Sequence, residues 1–236
     1  MTQDEFLLEK GVPKIYLRAR MSDAPKELDL DINQSYYFFS EGPGTGKTYL
    51  AWAILNEILI TNYVNNLGGE IEFTTAGNLF LMFRETMQKS RNILFPKLNN
   101  HKGLKTEFDI IQYYSNADIL ALDDLGGMRP GESSSYNVSN LFEILNSRET
   151  ETRQTIITSN CSLEKIANVF DDRIASRISA LCKIINLTGA DRRLASSKSH
   201  KNVSTNQNGI SPEMPKIIYQ ESELSVWLDK FSKEKE

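Results

Sequence analysis

The glycine-rich segment GPGTGKT, residues 42–48, constrains the fold of this chain more than any other feature. It lies between an apolar run with strand composition, residues 36–39, and a run with helical periodicity, residues 49–60. Glycines let successive backbone N–H groups point at phosphate oxygens, and the following helix adds its positive N-terminal end. A strand, this loop and a helix together predict a phosphate-binding loop, or P-loop, for a nucleoside triphosphate.

The predicted contacts to the nucleotide come from consecutive loop residues: Gly42, Pro43, Gly44, Thr45, Gly46, Lys47, Thr48 and Tyr49. Lys47 would reach the β- and γ-phosphates, and the Thr48 hydroxyl would ligate Mg²⁺. Glu41 stands where the strict pattern has its first glycine, and an acid beside a triphosphate is unfavourable unless it points away. The alternative is a glycine-rich turn without a ligand, and the Lys-Thr pair and both flanking runs argue against it.

Apolar segments with strand character alternate with amphipathic segments along the chain. Strands are expected at residues 36–40, 70–75, 119–123, 155–159 and 183–187, and helices at 48–63, 77–88, 109–114, 136–148 and 163–170. This alternation predicts βαβ units, and therefore an α/β fold with a five-stranded parallel sheet and helices on both faces. Ligands of such sheets bind at the carboxyl ends of the strands.

Two of the predicted strands end in polar residues. Asp123 and Asp124 end one of them, a pattern typical of a Walker B strand, although a strand that runs into an acidic turn looks the same. Asp123 would hold Mg²⁺ opposite Thr48, and Asp124 would polarise the water that attacks the γ-phosphate. Asn160 follows the other strand, where its amide would contact the γ-phosphate or the water. Asn160 could equally open a turn or cap the next helix.

The segment DDRIASRI, residues 171–178, places two arginines one helical turn apart, Arg173 and Arg177. Arginine bridges transition-state phosphate charge when a neighbouring subunit supplies it, with an effect of roughly 10³–10⁵ on the rate. The alternative is pairing within the helix between one of these arginines and Asp171 or Asp172.

These stretches together resemble the AAA+ ATPases, and among them the DnaC-type helicase loaders and the IstB-type transposition ATPases. The resemblance spans residues 8–194 and rests on GVPKIY (11–16), GPGTGKTYLAWAI (42–54), ILALDDLG (119–126), NSR (146–148), IITSN (156–160) and DDRIASRI (171–178). It implies a P-loop AAA+ core with residues 11–16 near the adenine. It also implies catalytic roles for Lys47, Asp124, Asn160 as sensor 1, Arg177 as arginine finger and Arg193 as sensor 2, with Arg192 as the fallback.

The sequence also predicts a domain organisation, in which the core follows from the resemblance and the linker and C-terminal helix follow from composition. Because the sensor 2 candidate follows the last strand almost at once, no full helical lid domain is expected. Residues 1–194 would form the AAA+ core, residues 195–216 a Ser/Asn-rich flexible linker, and residues 217–236 a C-terminal amphipathic helix. Loaders usually carry a separate N-terminal domain that grips the helicase. Only residues 1–10 precede the first family-like motif, residues 11–16. Either the chain is therefore a trimmed core or it binds its partner in another way.

The resemblance further implies ATP and Mg²⁺ as cofactors and an ATP-dependent homo-oligomer, a ring or spiral on single-stranded DNA that loads a replicative DNA helicase. One alternative is an IstB-like helper of a DNA transposase. Others are a nucleotide-gated scaffold with little turnover and a small-molecule kinase. The DNA candidates lie between Arg84 and Lys105, where basic residues and Phe83 and Phe95 interleave, although these phenylalanines could equally belong to the core.

Composition limits the remaining classes. With 236 residues, 40% of them hydrophobic, the chain can bury one substantial core. A net charge of −4 means that nucleic-acid contacts must come from a local patch. The first ten residues lack the pattern of a signal peptide, and no apolar run is long enough to span a membrane. The two cysteines, Cys161 and Cys182, show no metal-binding spacing and are expected to be buried thiols of a reduced, cytoplasmic protein.

Overall fold

The computed structural model describes residues 2–87, 104–127 and 134–189. The strands are β1 (Tyr36–Phe39), β2 (Ile71–Thr75), β3 (Ile119–Leu125), β4 (Gln154–Ser159) and β5 (Lys183–Asn186). The α-helices are α1 (Gln3–Glu9), α2 (Lys47–Val64), α3 (Ala76–Met87), α4 (Glu107–Asn116), α5 (Ser135–Thr150), α6 (Leu163–Val169) and α7 (Asp172–Leu181). Three short 3-10 helices lie between α1 and β1: Lys14–Tyr16, Met21–Asp23 and Lys26–Leu28.

The strands form one parallel sheet in the order β2-β3-β4-β1-β5, which confirms the predicted five-stranded α/β architecture. In the register of the sheet, Phe39 lies beside Ser159, and Thr75 lies beside Asp123. The carboxyl ends of β1, β3 and β4 are therefore neighbours along one edge. The loop after β1, the acids of β3 and the residue after β4 converge there, as ligand-binding groups do in open α/β sheets.

Alternate residues of the strands face two separate cores. On β1, Tyr37 and Phe39 belong to the core beneath α3, α4, α5, α6 and α7. Tyr36 and Phe38 belong to the core beneath α1 and α2. Because a parallel strand buries both of its faces, the four side chains of β1 are all apolar or aromatic and all buried. The prediction of helices on both faces is confirmed.

Capping residues explain where several helices begin. Thr106 forms a capping box with Asp109, so α4 begins two residues before the predicted start at residue 109. Ser134, Ser162 and Asp171 cap α5, α6 and α7 through their side-chain oxygens. The helix α1 was not predicted from the sequence.

The guanidinium group of Arg148, at the end of α5, is fully buried between α4 and β4. Its nitrogens donate to Thr155 Oγ1 at 2.9 Å and to the carbonyl oxygens of Tyr114 (2.8 Å), Ser115 (3.3 Å), Ala117 (2.7 Å) and Gln154 (2.5 Å). Burial lowers the pKa of Arg148 to about 10. The arginine thus satisfies carbonyl groups where α4 ends and β4 begins, and it fixes the strand that leads to Asn160.

The cysteine prediction was partly wrong. Cys182 is buried, and burial raises the pKa of its thiol, whereas Cys161 is only half buried, in the turn after β4. Both thiols are free. The predicted linker (195–216), the predicted C-terminal helix (217–236) and any lid after residue 189 lie outside the described residues. In the part of the chain that the structure describes, no helix combines the length and apolar character needed to cross a membrane.

Candidate active site

The P-loop joins the carboxyl end of β1 to the first turn of α2. Gly44 and Gly46 adopt φ angles of 68° and 101°, a backbone region that side chains with a Cβ rarely enter. Lys47 begins α2, and its Nζ donates to the carbonyl oxygens of Gly42 at 3.0 Å and Ser40 at 3.3 Å. The loop therefore curves around the lysine ammonium group, which is placed to exchange these carbonyls for phosphate oxygens.

Glu41 points away from the loop interior. Its carboxylate accepts a hydrogen bond of 2.5 Å from Lys165 Nζ on α6, and its side chain is 71% exposed. The hydrogen bond and the charge of Lys165 lower the pKa of Glu41. The negative charge of Glu41, which replaces the first P-loop glycine, is thus paired with the positive charge of Lys165 on α6. The sequence could not show this pairing, because the two residues are far apart along the chain.

Asp123 lies at the centre of a hydroxyl and carboxylate cluster. Thr48 Oγ1 donates to Asp123 Oδ1 at 2.8 Å, and Thr158 Oγ1 donates to the same oxygen at 2.6 Å. The Thr158 hydroxyl also accepts the backbone N–H of Asp124 at 2.9 Å. A hydroxyl and a carboxylate oxygen in contact are a donor set that suits Mg²⁺, so Thr48 and Asp123 fit the predicted metal site. The role of Thr158 in orienting the carboxylate was missed in the sequence, where it looks like an ordinary strand residue.

Asp124 has a backbone conformation that is unusual for a strand residue, with φ at 59°. The register between β3 and β4 shifts between Leu122 and Leu125, so the chain bulges at the two acids. Burial raises the pKa of the Asp124 carboxyl, the charge of Asp123 adds to this effect, and Lys47 opposes it. A carboxylate with a raised pKa accepts a proton more readily, as a general base must.

Two neighbours hold the Asp124 carboxylate in place. Asn160 Nδ2 donates to Asp124 Oδ1 at 2.9 Å. Gly127 lies against the same carboxylate, because a Cβ atom at this glycine would stand 2.6 Å from both of its oxygens. The predicted sensor amide and the predicted base are thus in direct contact.

The motif residues line one cleft of about 370 Å³: Tyr16, Pro43, Gly44, Thr45, Gly46, Lys47, Thr48, Tyr49, Asp123, Asp124, Thr158 and Asn160. Tyr16 is the residue of the 11–16 segment that lines this cleft, whereas Gly11 and Pro13 line a separate, larger cavity. The Tyr16 ring stacks on Trp52 with centroids 5.9 Å apart, and Trp52 stacks on Phe73 at 4.4 Å. The Tyr49 hydroxyl donates to Asp23 at 2.5 Å, which ties the N-terminal segment to α2.

A larger cavity of about 1030 Å³ lies between α1, α2 and β2. The P-loop and the acids of β3 do not contribute to its lining, which includes Phe6, Trp52, Tyr63 and Phe73. The smaller cleft is therefore the candidate active site, since it contains the groups that can bind phosphate and move a proton.

The two arginines of α7 lie outside the lining of this cleft. Arg177 Nη1 donates to Glu149 Oε2 on α5 at 2.6 Å. Arg173 pairs with Asp171 at 2.8 Å, which is the intrahelical alternative considered above. Both guanidinium groups lie near the ring of Phe142, at 5.0 Å for Arg173 and 5.6 Å for Arg177.

Several predicted residues cannot be placed. Arg192 and Arg193 lie outside the described residues, as do most of the basic positions between residues 84 and 105 and Phe95. Phe83 is fully buried in the core under α3, so it does not offer its ring to a nucleic-acid base.

Comparisons with known proteins agree with this geometry. The model of a family described as IstB-like ATP binding protein matches residues 33–200. The replicative helicase loader DnaC of Escherichia coli strain K12 is 25% identical over 150 residues, 64% of this chain and 52% of that protein. The phage-like element PBSX protein XkdC of Bacillus subtilis strain 168 is 25% identical over 146 residues, 59% of this chain and 45% of that protein. The chain thus spans about half the length of these curated relatives.

Solved structures show the same fold. A crystal structure of DnaI has a TM-score of 0.52 at 25% identity and covers 77% of this chain and 94% of the DnaI chain. A crystal structure of the DnaC helicase loader has a TM-score of 0.55 at 19% identity, with 75% and 100% covered. DnaA from Aquifex aeolicus bound to AMPPCP has a TM-score of 0.51 at 20% identity, with 73% and 48% covered. The predicted P-loop AAA+ fold is confirmed.

Proposed function

Because the chain belongs to the family of IstB-like ATP-binding proteins, we propose that it hydrolyses ATP at the cleft described above. The observation that carries the proposal is the meeting of a P-loop lysine, a hydroxyl, two carboxylates and an amide in one cleft: Lys47, Thr48, Asp123, Asp124 and Asn160. A cleft that only bound nucleotide would not require the second carboxylate or its amide neighbour.

Each side chain has a distinct task. Lys47 would hold the β- and γ-phosphates, and Thr48 and Asp123 would hold Mg²⁺, which would supply positive charge against the phosphate oxygens. Asp124 takes a proton from the attacking water, whose oxygen bonds to the γ-phosphorus as the bond to the β–γ bridging oxygen breaks. Asn160 keeps the Asp124 carboxylate aimed at that water through their 2.9 Å hydrogen bond.

Arg177 acts on the nucleotide of a neighbouring protomer. The support for this assignment is its position on α7, outside the lining of the cleft in its own protomer. Subunits that assemble side by side would each complete the site of the next, so ATP binding would favour assembly and hydrolysis would weaken it.

The partner of the assembly is a replicative DNA helicase in this proposal. The support is the similarity to proteins named replicative helicase loader DnaC. Single-stranded DNA would bind through the basic residues that are spread along the sequence from Arg84 to Lys105. The matching family is described as IstB-like, and the resemblance to IstB-type transposition ATPases makes a DNA transposase the second candidate partner.

Phosphate release and nucleotide binding, measured together, test the enzymatic part. We expect Lys47→Ala to lose ATP binding, and Asp124→Asn to keep binding while phosphate release falls about 10²–10⁴-fold. Wild-type protein that binds ATP tightly with background phosphate release would instead identify a nucleotide-gated scaffold. A monomer that transfers phosphate to a small molecule would identify a kinase.

Affinity capture from host extract with ATP tests the partner. A helicase in the captured fraction supports the loader role, and a transposase supports the second candidate. The same capture with residues 217–236 removed shows whether that segment makes the contact.

A further inference from the structure

The ion pair between Glu149 and Arg177 joins α5 to α7. The Arg177 Nη1 to Glu149 Oε2 distance is 2.6 Å, and the two side chains are 36% and 27% exposed. We propose that Glu149 is a latch, which holds the Arg177 guanidinium on its own protomer until a neighbour's nucleotide displaces it. The inference rests on the proposed role of Arg177 in a shared ATPase site.

Glu149, the latch residue, lies in the last turn of α5. Glu149 and Phe142 are seven residues apart, two helical turns, so they lie on the same face of α5, next to α7. The ring of Phe142 lies 5.6 Å from the Arg177 guanidinium, and the carboxylate binds one of its two terminal nitrogens. On α7, Ile174 and Ile178 are buried, which fixes the backbone from which the arginine extends.

Glu149 affects catalysis because its negative charge offsets the positive charge of Arg177. A guanidinium group assists phosphoryl transfer through its positive charge, and a carboxylate in contact cancels much of that charge. Arg173 differs, because it pairs with Asp171, the N-cap of its own helix. Within the described residues, Arg177 is thus the arginine of α7 that a carboxylate from a second helix holds.

The latch is weak enough to open. Partly exposed ion pairs shift an equilibrium by roughly 1.5- to 5-fold, because water screens them. A triphosphate carries more negative charge than one carboxylate and accepts two parallel hydrogen bonds from arginine, so it outcompetes Glu149. The released carboxylate is partly exposed and becomes hydrated. The latch therefore raises the protein concentration at which the shared site forms, without lowering the rate once it has formed.

The test is ATPase activity as a function of protein concentration for Glu149→Gln, with Glu151→Gln as the control. Glu151 is exposed, lies two residues further on, and carries the same charge change. For Glu149→Gln we expect the half-maximal concentration to fall about 2- to 5-fold with an unchanged plateau rate, and the difference to shrink at high salt. Glu149→Ala should give the same shift, and Glu151→Gln should match the wild type.

Two results would overturn the latch. An unchanged half-maximal concentration in both Glu149 variants means that the ion pair does not restrain the arginine. A lower plateau rate means that Glu149 supports the finger in its working position. Arg177→Ala separates the two proposals: undiminished activity of this variant refutes the shared site itself. Loss of activity in Arg177→Ala together with unaltered Glu149 variants refutes only the latch.

Discussion

Replacing Arg148 with methionine should destabilise the whole domain, although Arg148 touches no nucleotide-binding group. Methionine fills much of the same volume and adds no charge. It removes every donor that the guanidinium supplies to the end of α4 and the start of β4. Because the site is fully buried, water cannot replace those donors without opening the structure.

The size of the effect follows from the groups left behind. Four backbone carbonyl oxygens and one hydroxyl lose a partner, and each buried unsatisfied group costs about 1–3 kcal/mol. The substitution also removes the cost of burying a guanidinium ion, which is several kcal/mol. We therefore expect the free energy of unfolding to fall by about 3 kcal/mol, a large share of the 5–15 kcal/mol typical of a domain.

Urea denaturation followed by circular dichroism measures this change. The midpoint should fall with an unchanged slope, and Arg148→Lys, which keeps the charge but not the fork of donors, should lie between methionine and wild type. Arg173→Met, at an exposed position, is the matched control and should stay within about 0.5 kcal/mol. A loss below about 1 kcal/mol for Arg148→Met would refute the reasoning.

Three further predictions concern the site. Thr158→Val removes the hydroxyl that orients Asp123, so Mg²⁺-dependent ATP affinity, measured by calorimetry across Mg²⁺ concentrations, should fall about 10-fold; equal affinity would contradict this role. Gly127→Ala should push the Asp124 carboxylate aside and lower phosphate release about 10²-fold, while ATP binding and the melting temperature stay constant; full activity would show that the carboxylate adapts. Burial and a hydrogen bond to a carboxylate raise the pKa of Tyr49 to about 12, above its ordinary value of 10. The neutral Tyr49 hydroxyl therefore contributes to the stability of the fold in full below pH 10, and this contribution is lost between pH 10 and 12. Urea midpoints measured across that range should fall more for wild type than for Tyr49→Phe.

The sequence was sufficient for the parts of the site that depend on strand order. The P-loop, the acids of β3 and Asn160 each follow a recognisable strand, and parallel strands bring their carboxyl ends to one edge. The chemistry of those residue types then points to a nucleotide. The strand and helix boundaries were also close, because burial on both faces of the sheet leaves a clear apolar pattern.

The sequence alone could not predict contacts between elements that are distant along the chain. The pairing of Glu41 with Lys165 depends on how α6 packs beside the P-loop, and that of Glu149 with Arg177 depends on how α5 meets α7. Thr158 looks like any polar residue in a strand until its neighbours in β3 are known. Arg148 was marked only by resemblance, and its carbonyl partners come from α4 and β4.

The stack of aromatic rings that begins at Tyr16 in the cleft makes the fluorescence of this protein sensitive to what binds there. Trp52 lies between Tyr16 and Phe73, and its indole N–H has no hydrogen-bond partner in the described ranges. A buried indole in such apolar surroundings emits at shorter wavelengths than one in water, and its emission responds to the ring stacked on it. Because Tyr16 also lines the cleft, an arriving adenine would alter that stack. With Trp227, the second tryptophan in the chain, replaced by phenylalanine, the unlabelled protein would report nucleotide arrival as a change in its own fluorescence.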